Sequence, residues 1–279
     1  VLVELVCGRL VGIVVTFPWG VPEQFIDFFF AEARGTWGDG YYARHVGFCG
    51  WEGTGQDVLL SGKNIIGDIF SASKDCAVLF LTDDANGDVL ALDDIHSAFP
   101  DEMEAQGRIA RINEIRAGAG NDVIDFSSQR FEYIGSGMAV YGGSGDDVIW
   151  ANIGNNILYG DEGDDSIVGA SGNDVIVGGI GNDSMHGGGG DDCFCFCEEW
   201  GKDAVVQLSE GTVTLWFASG DVSHWNEDTL TYVEGDNSVV VLGVTTDRIN
   251  LRFGDDTTQM YDELVDFCAF DQVASCEVY

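Results

Sequence analysis

The chain has 279 residues, enough for one large or two smaller hydrophobic cores. It carries 48 Asp and Glu residues against 12 Lys and Arg residues, for a formal net charge of -36, and such a polyanion is repelled by nucleic acids and anionic membranes. Because 45% of the residues are hydrophobic, the composition argues against disorder and indicates a chain that folds once cations neutralise its carboxylates.

Residues 1–40 form an N-terminal apolar segment. Its first 16 residues include Glu4 and Arg9, so they are too short and too charged to span a membrane. They also lack the basic, apolar and small regions that follow one another in a signal peptide. We interpret them as a buried strand pair, and we expect no transmembrane segment elsewhere.

Residues 41–116 alternate short β-rich runs with turns of Gly, Asn and Asp, which predicts a degenerate β-solenoid. The segment 83–88, DDANGD, has the composition of a calcium loop but lacks the Gly and the later Glu of an EF-hand. Asp84, Asn86 and Asp88 are therefore secondary metal candidates. Residues 97–113 carry apolar side chains at helical spacing, which predicts a short amphipathic helix inserted into the solenoid.

A nonapeptide repeat occupies residues 142–195. Its six abutting copies are GGSGDDVIW, ANIGNNILY, GDEGDDSIV, GASGNDVIV, GGIGNDSMH and GGGGDDCFC. Gly is fourth in every copy, Asp is sixth in all but one, where Asn156 replaces it, and the eighth residue is always apolar. A further copy covers residues 117–125, and a weaker one covers residues 52–60. So many adjacent copies exclude chance.

Each nonapeptide has a turn half and a strand half. Gly and Asp tolerate turn conformations, and the last three residues can form a short strand with one inward side chain. Two copies then make a flattened coil of 18 residues, and stacked coils make two parallel sheets around an aliphatic core. The pattern predicts an all-β fold, a parallel β-roll over residues 117–199. Copies that start at 142, 160 and 178 share one column of turns, and those at 151, 169 and 187 share the other.

Aligned turns bring successive Asp carboxylates about 4.8 Å apart, the spacing of strands in a sheet. Such a row repels itself unless a hard cation lies between the turns, where carboxylates and Gly carbonyls supply the six or more oxygen ligands that calcium accepts. Residues 131–201 contain no Lys or Arg that could serve instead. The alternative, solvated turn formers, is weaker because a turn alone accepts Asn or Ser equally well.

The pattern GGxGxDxUx, where U is a large apolar residue, resembles the RTX (repeat-in-toxin, hemolysin-type) calcium-binding family. The resemblance implies a parallel β-roll with several calcium ions held between turns by sixth-position Asp residues and backbone carbonyls. Because Asn156 departs from the pattern, the site that it shares with Asp174 is expected to be weak or empty. The implied side-chain ligands are Asp147, Asp165 and Asp183 in one column, Asp174 and Asp192 in the other, with Asp122 and, in the weaker copy, Asp57 marking further turns. The implied carbonyl ligands are those of Gly143, Gly145, Gly163, Gly172, Gly181 and Gly190.

Residues 200–279 show longer β alternation, which predicts an antiparallel β cap over the open end of the roll. The turn EGDN at 234–237 indicates a hairpin, and residues 259–270 indicate a short helix. Repeats followed by a β cap and an acidic C-terminus resemble the export end of proteins that leave by type I secretion.

The run CFCFC at 193–197 places Phe194 inward, so Cys193, Cys195 and Cys197 are expected on the outer face. These thiols are candidates for a soft-metal site, a cross-link to another chain or a bond to a distant Cys. They are equally well explained as small strand-forming residues.

Catalytic signatures are absent from the sequence. It contains no HExxH motif, no GxSxG elbow and no P-loop, and the repeats account for its paired carboxylates. We therefore expect a non-enzymatic, secreted or cell-surface protein with a structural or adhesive role that folds on binding calcium. The partners left open are a surface glycan or further copies of the chain. The alternatives are a self-assembling filament or surface-layer component, or a non-catalytic C-terminal module of a larger secreted enzyme or carbohydrate-binding adhesin. The candidate sugar-stacking residues, which are otherwise core residues, are Trp37, Tyr41, Tyr42, Trp51, Trp200, Trp216 and Trp225.

Overall fold

The structure is a computed structural model that describes residues 78–92, 112–127, 137–197 and 199–254 in full. Outside these ranges it describes strands only. Two of these, β1 (Leu2–Val6) and β2 (Arg9–Val14), form an antiparallel pair. The strand pair expected at the N-terminus is therefore confirmed.

A first sheet is built mainly from parallel strands. Only β3 and the hairpin strands β22 and β23 pair antiparallel within it. Its members are β3 (Phe30–Trp37), β4 (Gly40–Phe48), β6 (Ile65–Gly67), β7 (Phe70–Ala72), β9 (Val89–Leu92), β10 (Ile109–Ala110), β12 (Val123–Asp125), β14 (Val148–Trp150), β16 (Ser166–Val168), β18 (Ser184–His186), β20 (Lys202–Val206), β22 (Trp225–Asn226), β23 (Thr231–Glu234) and β24 (Asn237–Leu242).

A second sheet of nine strands is parallel throughout and alternates along the chain with the first. Its members are β5 (Asp57–Leu59), β8 (Ala77–Phe80), β11 (Ile112–Ala119), β13 (Ala139–Ser144), β15 (Ile157–Glu162), β17 (Val175–Ile180), β19 (Asp192–Phe196), β21 (Val213–Phe217) and β25 (Ile249–Phe253). The two strands of each coil thus belong to opposite sheets, and this arrangement is a parallel β-roll.

The core of the roll consists of one inward side chain per nonapeptide. Strand register places residues 18 apart side by side, and the eighth-position side chains are 0% exposed. Burying an aliphatic side chain contributes about 1.5–3 kcal/mol. These inward residues are Ile149, Ile167 and Met185 facing from the first sheet, and Leu158, Ile176 and Phe194 facing from the second.

The helix expected at residues 97–113 is wrong at its C-terminal end. Ile109 lies in β10 and Ile112 in β11, which pair in parallel with β7 and β8. The register shifts between Ile112 and Glu114, so a bulge turns both Ile112 and Ile115 inward although they are three residues apart. That spacing imitates a helical period. Residues 97–108 lie outside the described residues, as does the helix expected at 259–270.

The expectation of an antiparallel cap beyond residue 199 is correct only for β22, β23 and the edge of β24 that they pair with. Strand β20 pairs in parallel with β18 and β24, and β21 pairs in parallel with β19 and β25. The roll therefore continues to Phe253. The hairpin expected around residues 234–237 is present between β23 and β24.

Upstream, parallel pairing also continues past the clear repeats. Strand β4 pairs with β6 and β7, β5 pairs with β8, and β6 pairs with β9. Helical structure in the fully described ranges is limited to two short 3-10 turns, Val222–His224 and Thr246–Arg248. No helix among the described residues is long and apolar enough to cross a membrane.

Candidate metal centres

Glycine at the fourth position lets successive turns stack closely. Gly163 has a φ of +140°, and a Cβ there would come within 3.0 Å of the carbonyl oxygen of Gly145. Gly181 stacks on Gly163 in the same way, and Gly190 stacks on Gly172. The carbonyl oxygens of these glycines consequently lie along the columns of turns. Gly143, the second residue of its nonapeptide, stacks in the same way on the Gly118 carbonyl.

The sixth-position carboxylates form a hydrogen-bonded ladder along each column. The Asp147 backbone N–H donates to Asp165 Oδ1 at 2.7 Å, and the Asp165 N–H donates to Asp183 Oδ1 at 2.9 Å. One oxygen of each carboxylate is thus used by the preceding coil. The first column contains Asp88, Asp122, Asp147, Asp165, Asp183 and Asp203, and the second contains Asn156, Asp174 and Asp192.

The other carboxylate oxygen is buried and has no hydrogen-bond partner in the described part of the chain. Asp165 Oδ2 and the Gly178 carbonyl oxygen both lie within 3.0 Å of the point where a Cβ on Gly160 would stand. Two acceptors therefore converge with no donor between them, an arrangement that a hard cation satisfies. The residues with such an oxygen are Asp88, Asp122, Asp147, Asp165, Asp174, Asp183, Asp192 and Asp203.

These donor groups fit calcium rather than a softer metal. They are carboxylate and carbonyl oxygens, which hard cations prefer. Among the described residues, no three His, Cys, Asp or Glu side chains form a metal-binding group. Backbone carbonyl oxygens do lie beside these carboxylates, as at Gly178 beside Asp165.

Comparison with known families identifies the repeats. Residues 110–129, 140–167 and 159–192 match the family described as RTX calcium-binding nonapeptide repeat (4 copies). These segments are RTX repeats. The cofactor of such repeats is calcium, which agrees with the oxygen-lined columns.

Other comparisons add little to this match. Comparison with curated proteins gives no match. Among solved structures, the chain is similar to the extracellular lipase LipA from Serratia marcescens, with 11% identity and a TM-score of 0.26. The similarity covers 68% of this chain and 39% of the lipase chain. The chain therefore spans well under half the length of that protein.

Burial raises the pKa of the RTX carboxylates in the absence of a cation. It brings the pKa of Asp147 and Asp165 to about 7 and that of Asp174 to about 8, mainly by desolvation. The ladder hydrogen bonds lower these pKa values, and neighbouring carboxylates raise them further. An ionised column is thus unfavourable until a cation compensates its charge.

Two residues that belong to the RTX columns escaped the sequence reasoning. Asp203 follows Asp183 by 20 residues rather than 18, and desolvation raises its pKa to about 8. The sequence does mark Asp203, because Gly201, Asp203 and Val205 keep the spacing of the fourth, sixth and eighth positions of the nonapeptide. Gln207, also buried, lies beside Asp192 and lowers that carboxyl's pKa, which burial raises overall. No repeat pattern marks Gln207.

The predicted loop at residues 83–88 is divided between two environments. Asp88 is buried in the first column, where its N–H donates to Asp122 Oδ1 at 2.5 Å. Asp84 Oδ1 instead accepts from the backbone and side chain of Asn86 in a surface turn. These hydrogen bonds place Asp88 in the column and Asp84 and Asn86 in the surface turn. Asp57 begins β5, and its side chain lies outside the described residues.

The cysteine run alternates across β19 as expected, but its outer side is buried. Phe194 joins the main core, whereas Cys193 and Cys195 pack with Val175 and Trp216 in a second cluster. Their Sγ atoms lie 3.8 Å apart, and Cys197 is only partly buried. Cys193 and Cys195 therefore lie on the side of β19 opposite Phe194, as expected, but neighbouring apolar side chains cover that side.

Proposed function

We propose that this protein is an extracellular calcium-binding β-roll that folds on binding calcium and has a non-catalytic structural or adhesive role at a surface. The observation that carries the proposal is the row of buried, unpaired carboxylate oxygens beside carbonyl oxygens in the RTX columns. RTX repeat proteins are typically secreted, which supports the extracellular assignment.

Calcium supplies the free energy that the columns lack without it. Burying an unpaired carboxylate oxygen costs at least about 1–3 kcal/mol, and each column repeats that cost at every coil. Extracellular calcium modules bind at roughly 0.1–1 mM, so the repeats would stay unfolded at cytosolic calcium levels and fold outside the cell. Binding and folding are then one event.

We assign the ligands of each site to two successive turns of one column. The sixth-position Asp supplies its unpaired oxygen, and carbonyls of its own turn and of the next coil complete the shell. Asp88, a secondary candidate from the sequence, and Asp203, which the sequence analysis missed, extend the first column at its two ends. The assigned side-chain ligands are Asp88, Asp122, Asp147, Asp165, Asp183 and Asp203 in the first column, and Asp174 and Asp192 in the second.

A calcium titration followed by circular dichroism tests the coupling of binding to folding. We expect little β signal in chelator and a cooperative rise over roughly 0.1–1 mM calcium. Magnesium is the control, because it demands a smaller octahedral shell and should not restore the signal at equal concentration. Equal β content with and without chelator would refute the proposal.

The adhesive role rests on weaker support and needs its own test. Trp200 and Trp216 are 3% and 4% exposed, so they are core residues rather than sugar platforms. Trp150 on the outer side of β14 is 42% exposed and is the better candidate for stacking on a sugar ring. A glycan array probed with wild type and Trp150→Ala in saturating calcium separates sugar adhesion from assembly. Electron microscopy of the same sample detects filaments or layers.

A further inference from the structure

Asn156 occupies the sixth position of its turn and is 0% exposed. Its Oδ1 accepts the backbone N–H of Met138 at 3.2 Å, which is the bond that Asp Oδ1 accepts in the other turns. The orientation of the amide is fixed by this bond, because the nitrogen cannot accept a hydrogen bond. The Nδ2 group therefore takes the place of the unpaired carboxylate oxygen.

Four oxygen atoms surround Asn156 Nδ2. They are the carbonyl oxygens of Asn152 at 2.9 Å, Gly154 at 2.9 Å and Gly169 at 3.2 Å, and Asp174 Oδ1 at 3.0 Å. An amide nitrogen has only two hydrogens to donate, so a shell of four oxygens exceeds what it needs. Such a shell is built for a cation.

By their place in the repeat, these four oxygens belong to the second and fourth residues of the turn and to the first and sixth residues of the next coil. In the turn of Asp165, the first residue of the next coil is Gly178, whose carbonyl converges with Asp165 Oδ2 as described above. Asn156 Nδ2 is a donor at this place, whereas Asp165 Oδ2 has no hydrogen-bond donor among the described residues.

We propose that the Asn156 side-chain amide replaces one calcium ion. The gap between the turns of Asn156 and Asp174, meaning the space between two stacked turns in which the other pairs would hold an ion, is then filled without metal. This inference rests on the proposed calcium-dependent folding. It makes the stacked turns of residues 151–159 and 169–177 the part of the roll that is least dependent on calcium. These two turns order first as calcium rises, and the neighbouring calcium sites form after them.

Two substitutions in the same column test the replacement. Asn156→Asp removes the donor and creates an unpaired carboxylate oxygen, so we expect one additional calcium ion and a higher calcium concentration at half-maximal folding. Asp174→Asn installs an amide at the next gap, so we expect one ion fewer with the β content in calcium retained. Native mass spectrometry of the full chain counts the ions, and circular dichroism follows folding.

The outcomes separate this inference from the proposed function. If wild type binds no calcium, the proposed function fails. If wild type binds calcium but Asn156→Asp binds the same number of ions, the replacement is wrong and the function stands. An Asn156→Asp chain that stays unfolded at saturating calcium would also overturn the replacement, because the added ion should restore a satisfied turn.

Hydrogen exchange of wild type gives a readout that needs no substitution. At calcium concentrations below the folding midpoint, we expect the amide of Asn156, which donates to Asp174 Oδ1 at 2.7 Å, to be protected before that of Asp165. Simultaneous protection of both amides would contradict the early ordering of these two turns.

Discussion

At the residue scale, one carboxylate serves two neighbouring gaps in a column. Asp165 Oδ1 accepts the N–H of Asp147, and its Oδ2 faces the gap shared with Asp183. A single sixth-position Asp therefore links three coils. Its role differs from that of an ordinary turn residue, which contacts only its own backbone.

Replacing Asp165 by Ala should weaken two calcium gaps. We expect a loss of at least about 1.5–3 kcal/mol in the free energy of unfolding in saturating calcium, from the charged hydrogen bond alone. Denaturant unfolding measures this loss. Glu162→Ala is the matched control, because Glu162 carries the same charge on the exposed end of β15. Equal effects of the two substitutions would show that only net charge matters.

Stacking of the turns also depends on the positive φ of the fourth-position Gly. Gly163→Ala should cost about 1–3 kcal/mol or more, because φ is +140° and a Cβ would meet the Gly145 carbonyl. Gly189→Ala should change stability by no more than about 0.5 kcal/mol, since a Cβ there meets nothing closer than 3.8 Å. Thermal unfolding in calcium compares the two. A tolerated Gly163→Ala would argue against close stacking of the turns.

At the element scale, the aliphatic core of the roll gives way to aromatic side chains near its C-terminal end. The Phe217 ring in β21 stacks on Tyr232 in β23 with ring centroids 3.8 Å apart, and on Phe196 at 4.9 Å. These contacts join the last parallel coils to the antiparallel hairpin. The hairpin thus covers a core that would otherwise be open.

Phe217→Ala should destabilise the folded chain by about 3–5 kcal/mol, because it leaves a cavity within this aromatic cluster. Leu208→Ala is the control, since Leu208 is 71% exposed and should contribute about 0.5 kcal/mol or less. Both are measured in saturating calcium. A loss confined to residues after 217 in hydrogen exchange would show instead that the hairpin folds as a separate unit.

At the scale of the whole molecule, protons and calcium compete for the same columns. Without calcium, burial in the fold raises the pKa values of Asp147, Asp165, Asp174 and Asp203 to about 7 to 8, from the ordinary Asp value of 3.8. A raised pKa means that the calcium-free fold is favoured when these groups are protonated. That contribution is present at acidic pH and is lost as pH rises through about 7 to 8.

We therefore expect the chain in chelator to gain β structure as the pH falls from about 8 to about 5, and its apparent calcium affinity to fall over the same range. Circular dichroism in chelator and calcium titrations at several pH values measure the two trends. Exposed carboxylates do not titrate in this range, so a shallow dependence centred near 4 would indicate solvated columns.

The nonapeptide pattern was sufficient to predict the architecture of residues 117–127 and 137–197. The turn, the strand and the inward side chain recur every nine residues, and each coil contacts only its neighbours, so the periodicity of the sequence is also that of the contacts. For the same reason the two columns of carboxylates and the choice of calcium followed from spacing and charge. The fold of the repeats is therefore determined by residues that are close to one another in the sequence.

Only the tertiary structure decided which residues continue the columns once the spacing changes. Asp88 and Asp122 are 34 residues apart and Asp122 and Asp147 are 25 residues apart, yet each backbone N–H still donates to the next carboxylate of the column. The bulge at Ile112 and the parallel pairing of β20 and β21 depend likewise on partners distant in sequence. The amide of Asn156 is the clearest case. An Asn in place of Asp supplies a hydrogen-bond donor where the other turns would bind a metal ion, and only the structure shows the four oxygens from two coils that surround this donor.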